Sequence, residues 1–246
     1  MNRYQILIEY VGVDFIGWQI QPKGKSVQKL IQLKISRLLK EKIKLVGSGR
    51  TDAGVHAIEQ SAHFDTKNKI ENLNKFLKSI NFFLNPELVS IRKIKKRNSA
   101  FHARFSAKER IYKYIIFNRV SVPSIEKGRG WHIRKKLNLK LMKEGSKKLL
   151  GKHDFSTFRA SSCNATSPIR TIKSINIKKV KEKIEIKFIS QSFLQQQVRS
   201  MVGCLKYLAE KKWDLKKFEK ILKSKKRNLC APPAPPHGLF LEKIIY

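Results

Sequence analysis

Acid is what this sequence lacks. Its 246 residues hold 18 Asp+Glu against 54 Lys+Arg, a formal net charge of +36, and only five of the acids are aspartates. The imbalance points to a polyanionic partner, nucleic acid first. Lysine so outnumbers arginine that a lysine-biased proteome also accounts for part of the excess. Cysteine is scarce: Cys163, Cys204 and Cys230 are odd in number and show no C-x-x-C spacing. That argues against a disulfide framework and a zinc ribbon, and it fits a reducing cytosol. The six histidines stand singly, without the paired spacing of a metal site. No stretch approaches eighteen consecutive apolar residues, so no transmembrane helix is expected. The N-terminus, "MNRYQILIEYVG", enters an alternating pattern at once, unlike a signal or transit peptide. Helix-turn-helix and zinc-finger signatures are missing too, which argues against a DNA-reading protein.

What is present is globular. Apolar residues make up 41% of the chain, enough for one large domain or two small ones with a real core. Residues Arg3 to Val11 alternate and read as a strand. Ser26 caps a helix predicted over Val27 to Lys40, with an apolar stripe of Val27, Leu30, Ile31, Ile35, Leu38 and Leu39. Strands are expected over Lys42 to Val46, Val55 to Phe64 and Leu88 to Ile94, and a helix over Leu73 to Leu84. The second half repeats this coarse pattern. It has a long strand region from Arg104 to Arg119, helices over Leu137 to Leu150, Val198 to Leu208 and Leu215 to Leu222, and two strands between the first pair of helices. "APPAPP" (Ala231 to Pro236) must be extended, and "GLFLEKIIY" reads as a closing strand. The expected class is α+β: two similar halves, 1–105 and 106–246, each an antiparallel sheet covered by helices on one face.

Two glycine-rich stretches invite chemistry. Gly24-Lys25-Ser26 looks like the end of a phosphate-binding loop, but that loop needs a glycine where Gln19 stands, so a turn with a helix cap is the better reading. The other is "VGSGRTDAGVHA", Val46 to Ala57. Gly47, Gly49 and Gly54 can take positive φ and let a ligand approach the backbone. Asp52 there has two readings. It can accept hydrogen bonds from turn amides, as aspartate often does. It can also be a nucleophile, since a carboxylate close to Arg50 stays ionised. A carboxylate facing phosphates repels them, so its place in so basic a chain asks for a compensating role.

"GSGRTDAGVHA" closely resembles the signature of the tRNA pseudouridine synthase A family. "GVDFIGWQIQP", "FHARFSAKERIYKYIIFNR", "HDFSTFRA", "FLQQQVRSMVG" and "PPHGLFL" resemble further motifs of that family, in the same order and over nearly the whole chain. The resemblance implies an isomerase that converts uridine to pseudouridine at positions 38, 39 and 40 of the tRNA anticodon stem-loop. It implies no metal or organic cofactor, a homodimer, and an RNA-binding cleft between the two halves. By the same resemblance Asp52 is the catalytic nucleophile, attacking the sugar C1′ or, by another route, removing a sugar proton to give a glycal. Arg199 pairs with and orients Asp52. Tyr112 stacks on the target uracil, and Arg50 occupies the space of the flipped base.

Some positions depart from the family pattern. Val11 stands where Asp is usual, Asn85 separates Leu84 from Pro86, and His237 precedes Gly238 where an acid is common. None is a residue of the implied chemistry. A non-catalytic RNA binder or RNA chaperone on the same fold is the rival class. Asp52, Tyr112 and Arg199 argue against it, because a pure binder has no use for a carboxylate aimed at a phosphate-rich ligand.

Overall fold

The computed structural model describes residues 1–246. Its elements are β1 (Asn2–Tyr10), α1 (Val27–Leu39), β2 (Val46–Gly47), β3 (His56–Thr66), α2 (Leu73–Leu84), β4 (Val89–Arg97), β5 (Glu109–Phe117), β6 (Trp131–His132), α3 (Leu139–Lys147), β7 (Gly151–Asp154), β8 (Ile169–Val180), β9 (Lys183–Ser190), α4 (Gln197–Ala209), α5 (Leu215–Ser224) and β10 (Leu239–Ile245). They divide into two compact units, Met1–Arg110 with Phe240–Tyr246, and Ile111–Leu239. No helix is long and apolar enough to cross a membrane.

In the first unit the strand order is β4-β1-β3-β10, with β2 also pairing β3. Alternation along β1 buries Tyr4, Ile6, Ile8 and Tyr10. Helices α1 and α2 contact each other, and α2 lies on β4. Val27, Ile31 and Ile35 of α1 and Phe76, Ile80 and Leu84 of α2 are buried at helical spacing. Burying each such side chain stabilises the fold by about 1.5–3 kcal/mol relative to exposure. Ser26 Oγ accepts from Lys29 N, so the glycine-lysine-serine stretch is a helix cap and not a nucleotide loop. The β1–β3 register shifts between Ile8 and Tyr10. Such a bulge re-aims the strand end, here just before the glycine-punctuated loop that follows.

The second unit orders its strands β5-β9-β8-β7, with β6 on β5. Helix α3 packs on α4 and β8. Both units are therefore α+β, as expected. β1 pairs antiparallel with β3 and β4, as do β2 with β3 and β8 with β7 and β9, whereas β10 on β3 and β6 on β5 are parallel.

Two expected strands are shorter than their sequences suggest, for the same physical reason. Of Lys42 to Val46 only the last residue joins β2. The Ile43 and Leu45 amides are taken instead by Ser36 Oγ (3.0 Å) and Gln32 Oε1 (3.0 Å) of α1. The strand expected from Arg104 begins only at Glu109. Residues 101–108 form a loop whose amides find side-chain acceptors: His102 N on Ser106 Oγ (2.9 Å), Ala103 N on His63 Nδ1 (3.1 Å), Arg104 N on His102 Nδ1 (3.2 Å). A side chain that takes a backbone amide locally removes it from the ladder.

Candidate active site

The loop between β2 and β3 carries Arg50 and Asp52, and almost every residue of it is tied down. Ser48 N donates to Ser61 O (2.8 Å), Gln60 Nε2 to Gly49 O (2.7 Å) and Trp18 N to Thr51 O (3.1 Å). Gly54 N donates to Phe15 O (3.3 Å) and Val55 N to Asp52 O (3.2 Å). Gly17 and Asp52 form an isolated antiparallel bridge. Inside, the Tyr10 and Thr51 hydroxyls lie 2.7 Å apart. Thr51 is buried, Asp52 half-buried and Arg50 exposed, so three consecutive residues take three different environments.

Glycine makes this interlock possible. A Cβ on Gly17, whose φ is +114°, would sit 2.6 Å from Thr51 O. The segment Gly12–Trp18 is thereby pressed against the backbone on either side of Asp52. Of the three glycines flanking Asp52, only Gly54 uses a positive φ (+76°). Gly47 serves a close approach instead, since a Cβ there would lie 2.4 Å from the Trp18 indole nitrogen. His56, just past the loop, is buried; its Nδ1 accepts from Gly12 N (3.1 Å) and its ring stacks on Phe240 at 4.7 Å.

Tyr112 and Arg199 belong to the second unit. Tyr112 on β5 is buried, its ring nearly perpendicular to Phe193 with centroids 5.2 Å apart. Arg199 is the third residue of α4, and the start of that helix is irregular. The other four helices have a Ser, Asn or Asp cap whose side chain accepts an amide; α4 is preceded by Gln196 in the left-handed region (φ 61°) with no such bond. Backbone strain of this kind persists only where surrounding contacts over-determine it. Gln197 supplies one of them, its Oε1 accepting from Leu194 N at 2.8 Å.

The proline segment holds Arg199 from the other side. Arg199 Nε donates to Ala234 O (2.8 Å), and Ala234 N donates back to Arg199 O (2.9 Å). Tyr114 OH donates to Pro235 O (2.8 Å), and a Cβ on Gly203 of α4 would lie 2.1 Å from Pro232 O. Burial pushes the Tyr114 phenol well above its ordinary range, so it stays a neutral donor. Burial first, then the charge of Arg199, lowers the His237 pKa, so His237 does not compete with Arg199 as a cation near neutral pH.

The residues singled out in sequence thus fall into two built sites, Arg50 and Asp52 on one loop of the first unit, Tyr112 and Arg199 on β5 and α4 of the second. Tyr10, Thr51, His56, Phe193, Tyr114 and Ala234 position them. Their positioning roles are not legible in sequence, because each acts through a contact distant in sequence.

Comparison with known proteins identifies the family. A family model described as tRNA pseudouridine synthase matches residues 6–106 and 146–246, most of both halves. The chain is 73% identical over all 246 residues to tRNA pseudouridine synthase A of Pelagibacter ubique (strain HTCC1062), each chain being covered completely. It is 39% identical to the protein of the same name from Parvibaculum lavamentivorans, again with full coverage of both. To that of Methylocella silvestris it is 42% identical, covering 100% of this chain and 99% of the relative. A likeness that runs end to end and spans both halves leaves one assignment: the chain belongs to the tRNA pseudouridine synthase family, a family of isomerases.

Proposed function

We propose that this protein isomerises uridine to pseudouridine in the anticodon stem-loop of tRNA, at positions 38, 39 and 40, with Asp52 as the nucleophile. The observation that carries the reading is the clamped loop. A carboxylate that merely capped a turn would not need both neighbouring backbone segments fixed by Gly17 and the Tyr10–Thr51 pair. A nucleophile does, because misplacement by about 1 Å costs roughly 100-fold in rate.

The chemistry balances without a cofactor. The Asp52 carboxylate attacks C1′, and the C1′–N1 electron pair leaves with the uracil. The uracil turns, C5 forms the new bond to C1′, and the carboxylate departs. C5 then loses its proton and N1 gains one. In the alternative glycal route Asp52 removes a sugar proton instead, and the same base rotation follows.

In this scheme Arg199 holds the carboxylate charged and oriented, and the Ala234 carbonyl on Nε fixes the guanidinium for that task. Tyr112, steadied by Phe193, stacks on the uracil; stacking contributes about 1–3 kcal/mol per base. Arg50, exposed beside the carboxylate, fills the place of the extruded base. Extrusion costs a few kcal/mol, so an inserted side chain offsets part of it. The basic surface grips phosphates without reading sequence. A homodimer working in the cytoplasm completes the reading.

The test is pseudouridine mapping on an unmodified tRNA transcript, by carbodiimide labelling and primer extension, with the natural protein and with Asp52→Ala. Stops on the 3′ side of the anticodon stem-loop with the natural protein, and none with the variant, are the expected outcome. Stops elsewhere, or stops that survive in Asp52→Ala, overturn it. No stops with either protein, together with intact tRNA binding, would assign the chain to non-catalytic RNA binders.

A further inference from the structure

The loop after β4 has a feature that the proposed chemistry does not use. Phe105 is 75% exposed, yet it is not on a loose tip. Its ring lies on the His102 ring, centroids 4.4 Å apart and planes 27° from parallel. Beneath them the loop is locked. His102 N donates to Ser106 Oγ and Ser106 N to His102 O, both at 2.9 Å. Tyr246 OH donates to Ala103 O at 2.9 Å, and Arg3 Nη1 to Phe101 O at 2.8 Å. The His102 Nδ1 accepts from both Arg104 N and Phe105 N (3.2 Å each), which fixes its ring as a neutral aromatic surface.

The surroundings are cationic. From Leu88 to Lys108 there are seven Lys or Arg and no acid. The Arg104 guanidinium sits 5.6 Å from the Phe105 ring centre. A concavity of 720 Å³ adjoins the loop, lined by Lys96, Arg97, Asn98, Ala100, Phe101 and Ser106, the last being the residue after Phe105. A rigid, exposed aromatic face ringed by cations suits a ligand that is flat and apolar on one part and anionic on another. Nucleotides have that combination.

The loop is also joined to the Asp52 loop. Arg110 Nη2 donates to both Arg104 O and Ser48 O, at 2.9 Å each, so those carbonyls lie within about 6 Å of one another.

We propose that His102 and Phe105, with Lys96, Arg97 and Arg104 around them, form a second nucleotide subsite. It stacks one base of the tRNA other than the target uridine and holds the adjoining phosphodiester. This rests on the reading of the protein as a tRNA-modifying enzyme, and it adds a place where the substrate is held in register with the catalytic loop.

The experiment measures affinity for an unmodified tRNA transcript at fixed salt, with Phe105→Ala, Phe105→Leu and Phe105→Trp. Loss of the stack should weaken binding about 5- to 150-fold in Phe105→Ala. Phe105→Leu, apolar but without a ring, should lose nearly as much, and Phe105→Trp should bind as well as the natural protein. Natural affinity in Phe105→Ala or in Phe105→Leu overturns the proposal. So does a change of oligomeric state in sedimentation with tRNA affinity intact, which would make the patch a protein contact. The affinity ratios are read without product formation. A failure of the pseudouridine reading, seen by mapping, is therefore distinguishable from a failure of this one.

Discussion

The Tyr10 and Thr51 hydroxyls meet at 2.7 Å in the interior of the first unit, one residue before Asp52. The pair joins the end of β1 to the loop that carries the carboxylate. Tyr10 lies just beyond the β1 bulge and pairs with Ala57, so the bulge and this bond together set where the Asp52 loop rejoins the sheet.

Tyr10→Phe leaves the buried Thr51 hydroxyl short of that partner and should cost about 1–3 kcal/mol of stability. Turnover should fall as well, because the anchor adjacent to Asp52 is gone. Removing both hydroxyls in Tyr10→Phe with Thr51→Val should destabilise less than the two single changes added together, since no half-pair is left behind. Urea denaturation of the four proteins checks this; additive losses would show that the two groups do not act as a pair.

Gly17→Ala should be among the most damaging single-methyl changes in the chain. It places a Cβ 2.6 Å from Thr51 O at a φ of +114°. The contact is with backbone, which cannot swing aside. Gly128→Ala is the control, with φ +73° but nothing within 4 Å of the added methyl. There only the left-handed backbone cost of about 1–2 kcal/mol applies. Thermal midpoints and turnover should drop further for Gly17→Ala than for Gly128→Ala; equal losses would mean the clamp contributes nothing beyond backbone strain.

The site was partly legible in sequence for a chemical reason. Asp52 and Arg50 stand out in a glycine-rich turn of a lysine-rich chain, whereas Tyr112 and Arg199 are singled out only by resemblance to the family's motifs. The clamp was not legible. Gly17 and Thr51 are 34 positions apart, and neither explains itself without the other. The glycine reading was right in kind and wrong in detail, since a positive φ falls at Gly54 and Gly17 while Gly47 makes room for an indole. Strand alternation overran at Arg104 because alternation cannot see an amide captured by a histidine. The parallel seat of β10 on β3 at Phe240 and Leu241 is likewise a tertiary outcome, not a property of the last nine residues.

Acid should destabilise the first unit through His63. Burial first, then the charge of Arg3 and, once it is protonated in acid, that of His102, lower its pKa from 6.5 to about 4, against the opposing pull of Asp65. Its Nδ1 accepts from Ala103 N, which requires the neutral ring. Between those two pH values the unfolded chain binds more protons than the folded one, so stability falls as pH falls. The contribution is complete above pH 6.5 and is lost as the pH drops through about 4, a change of about 3 kcal/mol at most. His63→Gln, which keeps an acceptor, should flatten the stability profile over this window. The Arg3 hydrogen bond holds Asp65 below its ordinary range, so its loss adds further instability only at lower pH. Denaturation midpoints across pH 4 to 7 test the assignment; an unchanged slope in His63→Gln would remove His63 from the account.

Arg199→Lys preserves the charge and should still disable the enzyme. The guanidinium donates Nε to Ala234 O and keeps its two terminal nitrogens for other partners. An ammonium on a flexible stem has no fixed fork, so in the proposed mechanism it should hold the Ala234 carbonyl and orient Asp52 less well. The reciprocal bond from Ala234 N to Arg199 O is made by backbone and survives the change, so the fold of α4 against the proline segment should hold. Turnover should drop by about 100-fold or more, the size seen when one aligned donor is removed from a transition state. Stability and tRNA affinity should change little by comparison. Single-turnover rates beside denaturation curves separate these effects. A large loss of stability with natural single-turnover chemistry would make Arg199 a structural tie of the second unit and no part of the reaction.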